Sequence, residues 1–216
     1  MKLVIGNKNY STWSLRPWLL LCAFGIEFEE VQESLKMEGL KQRLLKHSPT
    51  AKVPVLIDST LTVSDSLAIC EYISETSLAG RGWPGDPIRR AEARAISAEM
   101  HSGFGAIRSE LPMNCRASRK IELSSQVQAE VARIDSIWSD CNKKYGDRGP
   151  WLFGEFSIAD CFFAPVALRF LTYGVPLSIE AQRFATEILA HPCVIDWVKS
   201  AKKETEIIAE DEAGTD

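Results

Sequence analysis

The sequence predicts an α/β domain followed by an all-helical domain, and two patterns carry that prediction. In the first part of the 216-residue chain, short apolar runs of strand length alternate with segments of helical period. Beyond residue 88 the apolar spacing is helical. Between the two, residues 79–87 hold three glycines and two prolines, the composition of a linker. We therefore predict an α/β domain over residues 1–78, a linker over 79–87 and a helical domain over 88–216.

The α/β domain has the predicted order β-α-β-α-β-β-α. Ser14 is the expected N-cap of the first helix, with Pro17 in its first turn and Gly25 at its end. Ser64 or Asp65 is expected to cap the last helix of this domain. The strands are expected at residues 2–5, 28–32, 53–58 and 61–63, and the helices after Ser14, near 40–47 and from 65 to 73.

The second domain is predicted to consist of helices alone. Ser157-x-x-Asp160 is a variant of the capping box, in which the serine caps a helix and the acid reaches back. The helices are expected at residues 88–111, 121–145, from 157 onward, 179–189 and 192–202. The tail over residues 203–216 is acidic, and we expect it to fray.

Charge and hydropathy exclude several classes of function. The formal net charge is −4, so no general basic field favours nucleic acid or an anionic membrane. No apolar run approaches the ~20 residues that cross a bilayer, and the apolar start is too short for a signal peptide. Six cysteines occur without any C-x-x-C pair, which predicts buried free thiols rather than disulfides or a metal site. We therefore expect a cytoplasmic protein without a metal.

Three short segments could together bind and activate a small thiol such as glutathione. The first is Lys52-Val53-Pro54, where the strand predicted over residues 53–58 begins. Proline cannot donate to a sheet, so Pro54 marks the start of the strand or a turn. A cis bond there would expose the backbone N–H and C=O of Val53 to a peptide ligand, whereas a plain strand-edge proline is the simpler interpretation.

The second segment is Asp65-Ser66, at a predicted helix start. Backbone N–H groups and a serine hydroxyl at such a position form a site for a carboxylate, and Asp65 could meet a ligand ammonium group. Simple helix capping is the alternative, and it is the commonest use of these residue types.

The third segment holds Ser11, Ser14 and Arg16, between the first strand and the first helix. A hydroxyl there can donate to a thiolate and lower its pKa, helped by the positive helix end and the charge of Arg16. N-capping is the alternative role for either serine. A Ser-His-Asp arrangement is not indicated, because the three histidines lie in unrelated contexts and no G-x-S-x-G motif occurs.

Together these segments resemble the cytosolic glutathione transferases over nearly the whole chain. The resemblance rests on the element order and on the stretches SPTAKVPVL (48–56), DSLAICEYI (65–73) and FGEFSIAD (153–160). It implies the glutathione transferase fold, a thioredoxin-like N-terminal domain joined to an all-α C-terminal domain. Ser11-x-x-Ser14-x-Arg16 is similar to the zeta-class motif, which implies a serine-type, maleylacetoacetate isomerase-like member.

The resemblance gives roles to the residues of the glutathione-binding segments. It implies that Pro54 is cis, that Val53 pairs with the cysteinyl part of glutathione, and that Lys52 belongs to the same binding set. Asp65 and Ser66 would hold the γ-glutamyl end.

The resemblance also implies a catalytic group. Ser11 would be the catalytic serine, with Ser14 as the backup candidate and Arg16 as the supporting charge. Trp13 replaces the cysteine of the zeta motif, which argues against a mixed-disulfide mechanism. A tyrosine-type enzyme that uses Tyr10 is possible and less favoured.

A second substrate is expected between the two domains, against the first long helix of the second. The candidate residues are His101, Phe104, Arg108 and Met113. Aromatic and methionine side chains at helical spacing more often fill a core, and His101 has a structural alternative too. Arg16 and Arg108 together would suit a diacid such as maleylacetoacetate, because guanidinium binds carboxylates bidentately.

The resemblance implies glutathione as co-substrate, a small electrophile as second substrate, and a homodimer. Conjugation, cis–trans isomerisation and glutathione-dependent peroxidase chemistry would all use the same thiolate. A non-catalytic protein of this fold, a ligand carrier or interaction module, would keep Val53, Pro54, Asp65 and Ser66 and lose thiol activation.

Overall fold

The computed structural model describes residues 1–215 and has a four-stranded mixed sheet near its N-terminus. The strands are β1 (Lys2–Ile5), β2 (Glu29–Gln32), β3 (Val55–Asp58) and β4 (Leu61–Ser64). Their order in the sheet is β2-β1-β3-β4, with β1 parallel to β2 and antiparallel to β3, and β3 antiparallel to β4. With the three helices that follow or separate them, the strands confirm the predicted order β-α-β-α-β-β-α.

The helices of this part are α1 (Thr12–Ala23), α2 (Leu40–Leu45) and α3 (Ser66–Thr76). Helix α1 begins earlier than predicted, because Ser11 is its N-cap residue and Ser14 lies inside it. The Ser14 hydroxyl accepts the backbone N–H of Gly6 and the Ser11 hydroxyl, so it does not cap the helix. Pro17 consequently lies within α1 rather than in its first turn.

The rest of the chain is helical, as predicted. The helices are α4 (Pro87–Ser102), α5 (Gly105–Glu110), α6 (Ser125–Tyr145), α7 (Ile158–Tyr173), α8 (Ile179–Ala190) and α9 (Pro192–Ala201). The single helix predicted over 88–111 is wrong, because Gly103 is extended and Phe104 adopts φ +60°, which separates α4 from α5. The capping box formed by Ser157 and Asp160 at the start of α7 is confirmed.

Helix α7 lies at the centre of the molecule. It is buried along nearly its whole length, as an all-round apolar helix must be, and α1, α4 and α8 pack against it. Contact with α1 brings the loop after β1 against the helical part of the chain. The fold class is therefore the predicted one, and its centre supports the region that carries Ser11, Ser14 and Arg16.

The predicted fraying of the acidic tail is wrong. A carboxylate of Glu204 accepts the backbone N–H groups of Lys8 at 2.7 Å and Asn9 at 3.0 Å. Ile208 is buried, and Thr215 forms a bridge with Lys120. Acidic side chains in this segment satisfy backbone donors of the loop after β1, which gives the tail a fixed path.

Two of the six cysteines depart from the predicted free thiols. Cys22, near the end of α1, forms a disulfide with Cys193 in the first turn of α9, where the Cα atoms are 6.0 Å apart. Helix α9 packs against α1, which brings together two residues far apart in sequence. The other four cysteines are free thiols. Because disulfides are rare in the cytosol, the cysteines no longer support a cytoplasmic location.

Candidate active site

A pair of serine hydroxyls lies where β1 gives way to α1. The Ser11 and Ser14 Oγ atoms are 2.7 Å apart, and Ser14 Oγ also accepts the backbone N–H of Gly6 at 3.1 Å. Ser14 is fully buried, whereas Ser11, at the first residue before the helix, keeps 5% of its surface exposed. The two hydrogen bonds that join Gly6, Ser14 and Ser11 therefore lead from the sheet to the N-terminal end of α1. The helix dipole favours negative charge at that end.

Arg16, two residues after Ser14 on α1, is a buried cation. Its guanidinium carbon lies 4.3 Å from the centre of the Trp13 ring and 4.5 Å from that of Phe162. Within residues 1–215, Nε and Nη1 have no hydrogen-bond partner. Burial, followed by the charge of Arg108, holds the pKa of Arg16 well below its usual range. An anion near this group would relieve the cost of the unpaired buried charge.

Asp65 and Ser66 form the start of α3. The Asp65 carboxylate accepts the N–H groups of Leu67 and Ala68, and its backbone adopts φ +86°, a strained conformation for a side-chain-bearing residue. Capping is thus one role of Asp65, and its side chain remains half exposed. The hydroxyl of Ser66 is buried and has no partner within residues 1–215, so a hydrogen-bonding group is available beside the helix start.

His101 reaches this helix start from α4. Its Nε2 lies 3.1 Å from Oδ2 of Asp65, and its ring contacts Trp13 edge-on at 5.3 Å between centroids. Burial lowers the pKa of His101, Asp65 opposes that shift, and the charges of Arg16 and Arg108 add to it. His101 therefore links the serine and aspartate segments from the helical part of the chain.

The bond between Val53 and Pro54 is cis, as the resemblance implies. Pro54 is buried one residue before β3, Val53 is partly exposed, and Lys52 is exposed. The segment therefore lies at the start of the strand that pairs with β1, the same edge from which the loop to α1 departs.

Of the remaining candidates, Arg108 belongs to this region and two residues lie in the core. The Arg108 guanidinium lies 4.5 Å from the Trp13 ring centre and donates to the backbone carbonyls of Gly103 and Met100. Phe104 and Met113 are almost fully buried. The structure therefore brings Arg108 and His101 next to Trp13, while Phe104 and Met113 have the core positions that were the alternative.

Sequence reasoning missed the partners of the loop over residues 7–11. Asn9 Nδ2 donates to Oδ1 of Asn114 at 2.9 Å, and the Asn9 side chain also accepts the N–H of Arg116. Tyr10 donates to Glu212 and accepts from Arg116. The repeated acidic residues of the tail could have indicated hydrogen-bond acceptors. The sequence does not show their partners, however, because these lie almost two hundred positions earlier. The helical part and the tail thus fix the loop that ends at Ser11.

Comparison with known proteins identifies the family. The model of the glutathione S-transferase N-terminal domain matches residues 10–76, and that of the C-terminal domain matches residues 122–200. The chain belongs to the glutathione S-transferase family. The enzyme class, with glutathione as co-substrate, follows from this membership. Within residues 1–215 no group of His, Cys, Asp and Glu could hold a metal ion, and no helix is long and apolar enough to cross a membrane.

Individual relatives include isomerases of this family. The maleylacetoacetate isomerase of Rattus norvegicus is 29% identical over 206 residues, covering 89% of this chain and 93% of that protein. A probable maleylacetoacetate isomerase of Caenorhabditis elegans is 38% identical over 99 residues, which span 44% of this chain and 46% of that protein. Among solved structures, a glutathione transferase homologue from Burkholderia GL BGR1 with bound glutathione is 25% identical. The match covers 94% of this transferase and 98% of the homologue's chain, with a TM-score of 0.71.

Proposed function

We propose that Ser11 activates the thiol of bound glutathione for attack on a small electrophile. The hydroxyl pair of Ser11 and Ser14 carries this proposal. The Ser11 hydroxyl donates to Ser14, which also accepts the Gly6 N–H, and because hydroxyl protons rotate, Ser11 would instead donate to the thiolate once glutathione is bound. Hydrogen bonds in such a chain strengthen one another, and one bond to a charged group contributes about 1.5–3 kcal/mol.

The surrounding residues support the same role. The positive end of α1 and the unpaired charge of Arg16 both favour a thiolate over a thiol. Asp65 and Ser66 would hold the γ-glutamyl end, and Lys52, Val53 and Pro54 the cysteinyl part. Tyr10 is the less suitable activator, because burial and the bond to Glu212 raise the pKa of its hydroxyl.

The deciding experiment is an ultraviolet titration of glutathione bound to wild type, Ser11→Ala, Ser14→Ala and the control Thr12→Val. We expect a bound thiol pKa at least one unit below that of the free thiol (~8.5) in wild type and the control. Ser11→Ala should abolish the shift, and Ser14→Ala should reduce it. An unshifted thiol in tightly bound glutathione would instead support a non-catalytic carrier, and a shift that survives in Ser11→Ala would exclude Ser11.

For the second substrate we propose a small diacid that undergoes glutathione-dependent cis–trans isomerisation, with maleylacetoacetate as the candidate. The thiolate would add to the double bond, the single bond then formed would rotate, and elimination would release the thiolate and the isomer. The isomerase relatives support this reaction, and so do the clustered charges of Arg16 and Arg108 beside Trp13. His101 lies at the same cluster.

Arg108→Ala separates this reaction from general conjugation. It should raise KM for maleylacetoacetate at least tenfold and leave KM for neutral 1-chloro-2,4-dinitrobenzene within a factor of about two, because one charged contact is worth about 1.4 kcal/mol or more. Equal effects on both substrates would make Arg108 a structural residue. Peroxidase activity towards cumene hydroperoxide, measured in parallel, tests the third use of the same thiolate.

We also propose a homodimer, and the exposed faces of α4 and α6 support it. A groove of about 220 Å³ between these helices has an apolar floor that includes Ile96, Ile137 and Phe153, and the charged residues Glu92, Arg133, Asp140 and Lys144 also line it. Ile88, at the start of α4, is 68% exposed. Light scattering coupled to size exclusion gives the mass directly, and a monomer at micromolar concentration would exclude the dimer. A cytoplasmic location stays a prediction.

A further inference from the structure

The disulfide between Cys22 and Cys193 lies away from the proposed reaction. Cys22 is eleven residues after Ser11 along α1, and an α-helix rises 1.5 Å per residue, so about 17 Å separates the two. Glutathione, the co-substrate of this family, is itself a thiol, and a thiolate exchanges with a disulfide through a mixed disulfide. The enzyme therefore meets, as its own co-substrate, a reagent for this bond.

The two sulfurs of the bond lie at opposite kinds of helix end. Cys22 is in the last turn of α1, whereas Cys193 is in the first turn of α9. A helix favours negative charge at its N-terminal end and disfavours it at its C-terminal end. Cys193 is consequently the better leaving thiolate, and exchange is faster when the sulfur that leaves is the more stable thiolate. The electrostatics thus direct an attacking thiolate to the Cys22 sulfur.

Exposure favours attack on the same sulfur. Cys22 is partly exposed, whereas Cys193 keeps 8% of its surface exposed. The rate of exchange depends on which sulfur the incoming thiolate can reach. Access and leaving-group stability therefore agree on Cys22 as the residue that is attacked.

The four free thiols compete poorly for glutathione. Burial raises the pKa of both Cys115 and Cys141 to about 12, and it also raises the pKa of Cys70 and of Cys161. The thiolate, not the thiol, is the species that exchanges. Near pH 7 the covalent chemistry of glutathione on this chain is thus confined to the disulfide pair.

Helix α9 connects the disulfide to the loop over residues 7–11. Trp197 is four residues after Cys193 and lies on the same side of the helix. Its Nε1 donates to the backbone carbonyl of Lys8 at 2.8 Å, and its ring centre is 5.1 Å from that of Trp18. The Lys8 ammonium lies 5.0 Å from the centre of the Trp18 ring and 5.3 Å from that of Trp197. The bond at the start of α9 therefore helps to fix a helix that holds this loop.

We propose that Cys22 is a covalent site for glutathione, reached by exchange with its bond to Cys193, and that the exchange loosens the hold of α9 on the loop over residues 7–11. The glutathione thiolate attacks the Cys22 sulfur, the bond between the two protein sulfurs breaks, and Cys193 leaves as a thiolate. A second glutathione thiolate attacks the glutathione sulfur of the mixed disulfide, which releases oxidised glutathione and leaves Cys22 as a thiolate. Two glutathione molecules are thereby oxidised by two electrons, which reduce the protein disulfide.

The exchange goes beyond the proposed reaction, because it needs neither an electrophile nor activation by Ser11. Acid-quenched mass spectrometry of the oxidised full chain in millimolar reduced glutathione measures it directly. We expect a transient adduct of one glutathionyl group, which peptide mapping places on Cys22, followed by the fully reduced chain. A bond that stays closed without any adduct, or an adduct on another cysteine, would overturn the proposal.

The variant Cys193→Ser traps the adduct. Oxidised glutathione should leave one glutathionyl group on Cys22 of this variant, because the Cys22 thiolate displaces one glutathione and no neighbouring thiol can then remove the other. Cys115→Ser is the matched control, since it removes a free thiol and retains the disulfide, and it should form the same transient adduct as wild type. Folded Cys193→Ser without a glutathionyl group on Cys22 would contradict the assignment. Thermal melting of each variant verifies folding.

Calorimetry with S-hexylglutathione, which has no free thiol, tests the link to the loop. Wild type reduced with dithiothreitol should bind it at least threefold more weakly than oxidised wild type, and Cys22→Ser should bind it equally with and without the reductant. Equal affinity of reduced and oxidised wild type would overturn the link. This measurement alone rests on the proposed glutathione site, and absence of binding to oxidised wild type would count against that site rather than against exchange at Cys22.

Discussion

The hydroxyl of Tyr10 donates to Oε1 of Glu212 at 2.6 Å. This hydrogen bond joins the residue next to Ser11 to the C-terminal tail. The same hydroxyl accepts from Arg116 at 2.7 Å. Glu212 also accepts from Asn114 and Arg119. A phenol that satisfies a carboxylate and a guanidinium is a structural bridge, and its raised pKa makes it a poor source of a phenolate.

Tyr10→Phe should therefore cost stability more than chemistry. Loss of one hydrogen bond to a charged acceptor predicts a decrease of about 1–2 kcal/mol in the free energy of unfolding, measured by urea denaturation. The thiol pKa of bound glutathione should stay within about half a unit of wild type. If Tyr10→Phe removes the thiol shift while Ser11→Ala keeps it, the enzyme is tyrosine-type.

The disulfide between Cys22 and Cys193 should contribute strongly to stability. It closes a loop of 171 residues, for which the loss of unfolded-chain entropy corresponds to about 3–5 kcal/mol. Reduction with dithiothreitol should lower the free energy of unfolding by that amount in wild type and have no effect in the control Cys22→Ala. Alkylation in denaturant should modify four cysteines before reduction and six after it. Six modifications without reductant would contradict the bond.

Asp160 should make stability depend on pH. The carboxylate accepts Leu152 N–H at 2.9 Å and Ser157 N–H at 2.8 Å, yet complete burial raises its pKa to about 6. An unfolded aspartate titrates near 3.9, so the folded state binds more protons between these values. Stability from this group is full below about pH 4 and is lost as the pH rises through about 6.

The size of that loss is about 2–3 kcal/mol for a shift of about two units. Urea denaturation of wild type from pH 4 to pH 7 should show it, while Asp160→Asn, which cannot ionise, should lack this component. Asp160→Ala should be destabilised at every pH by about 3 kcal/mol, because buried donors lose their acceptor. Parallel pH profiles for wild type and Asp160→Asn would show that Asp160 is ionised throughout.

Local patterns predicted what depends on local physics. The Ser157–Asp160 capping box, the strand order along the chain and the glycine- and proline-rich segment before α4 are each set by a few neighbouring residues. The sequence also named Ser11, Arg16, Asp65 and His101, which the fold brings into one region. Their roles in thiol activation and ligand binding remain predictions.

Long-range partners escaped prediction. Serine is a residue type that favours the N-cap, but the Ser14 hydroxyl instead accepts the N–H of Gly6, eight residues earlier. Cys22 and Cys193 meet only because α9 packs on α1. The break at Gly103 and Phe104 is accompanied by a distant contact, because the Glu130 carboxylate accepts the N–H groups of Ala106 and Ile107 at the start of α5. In each case a contact distant in sequence outweighed a local preference.

The tail offers the sharpest test of such a distant contact. Glu204 accepts the N–H groups of Lys8 and Asn9, so Glu204→Ala leaves two backbone donors of the loop over residues 7–11 without their acceptor. We expect a loss of about 1–3 kcal/mol in unfolding free energy and a rise in KM for glutathione, because the loop that ends at Ser11 becomes less fixed. Glu210→Ala, an exposed acid in the same tail, is the matched control and should change neither quantity. A stability loss in Glu204→Ala with unchanged KM would limit the tail to a structural role, and equal behaviour of the two variants would show that the loop holds its position without Glu204.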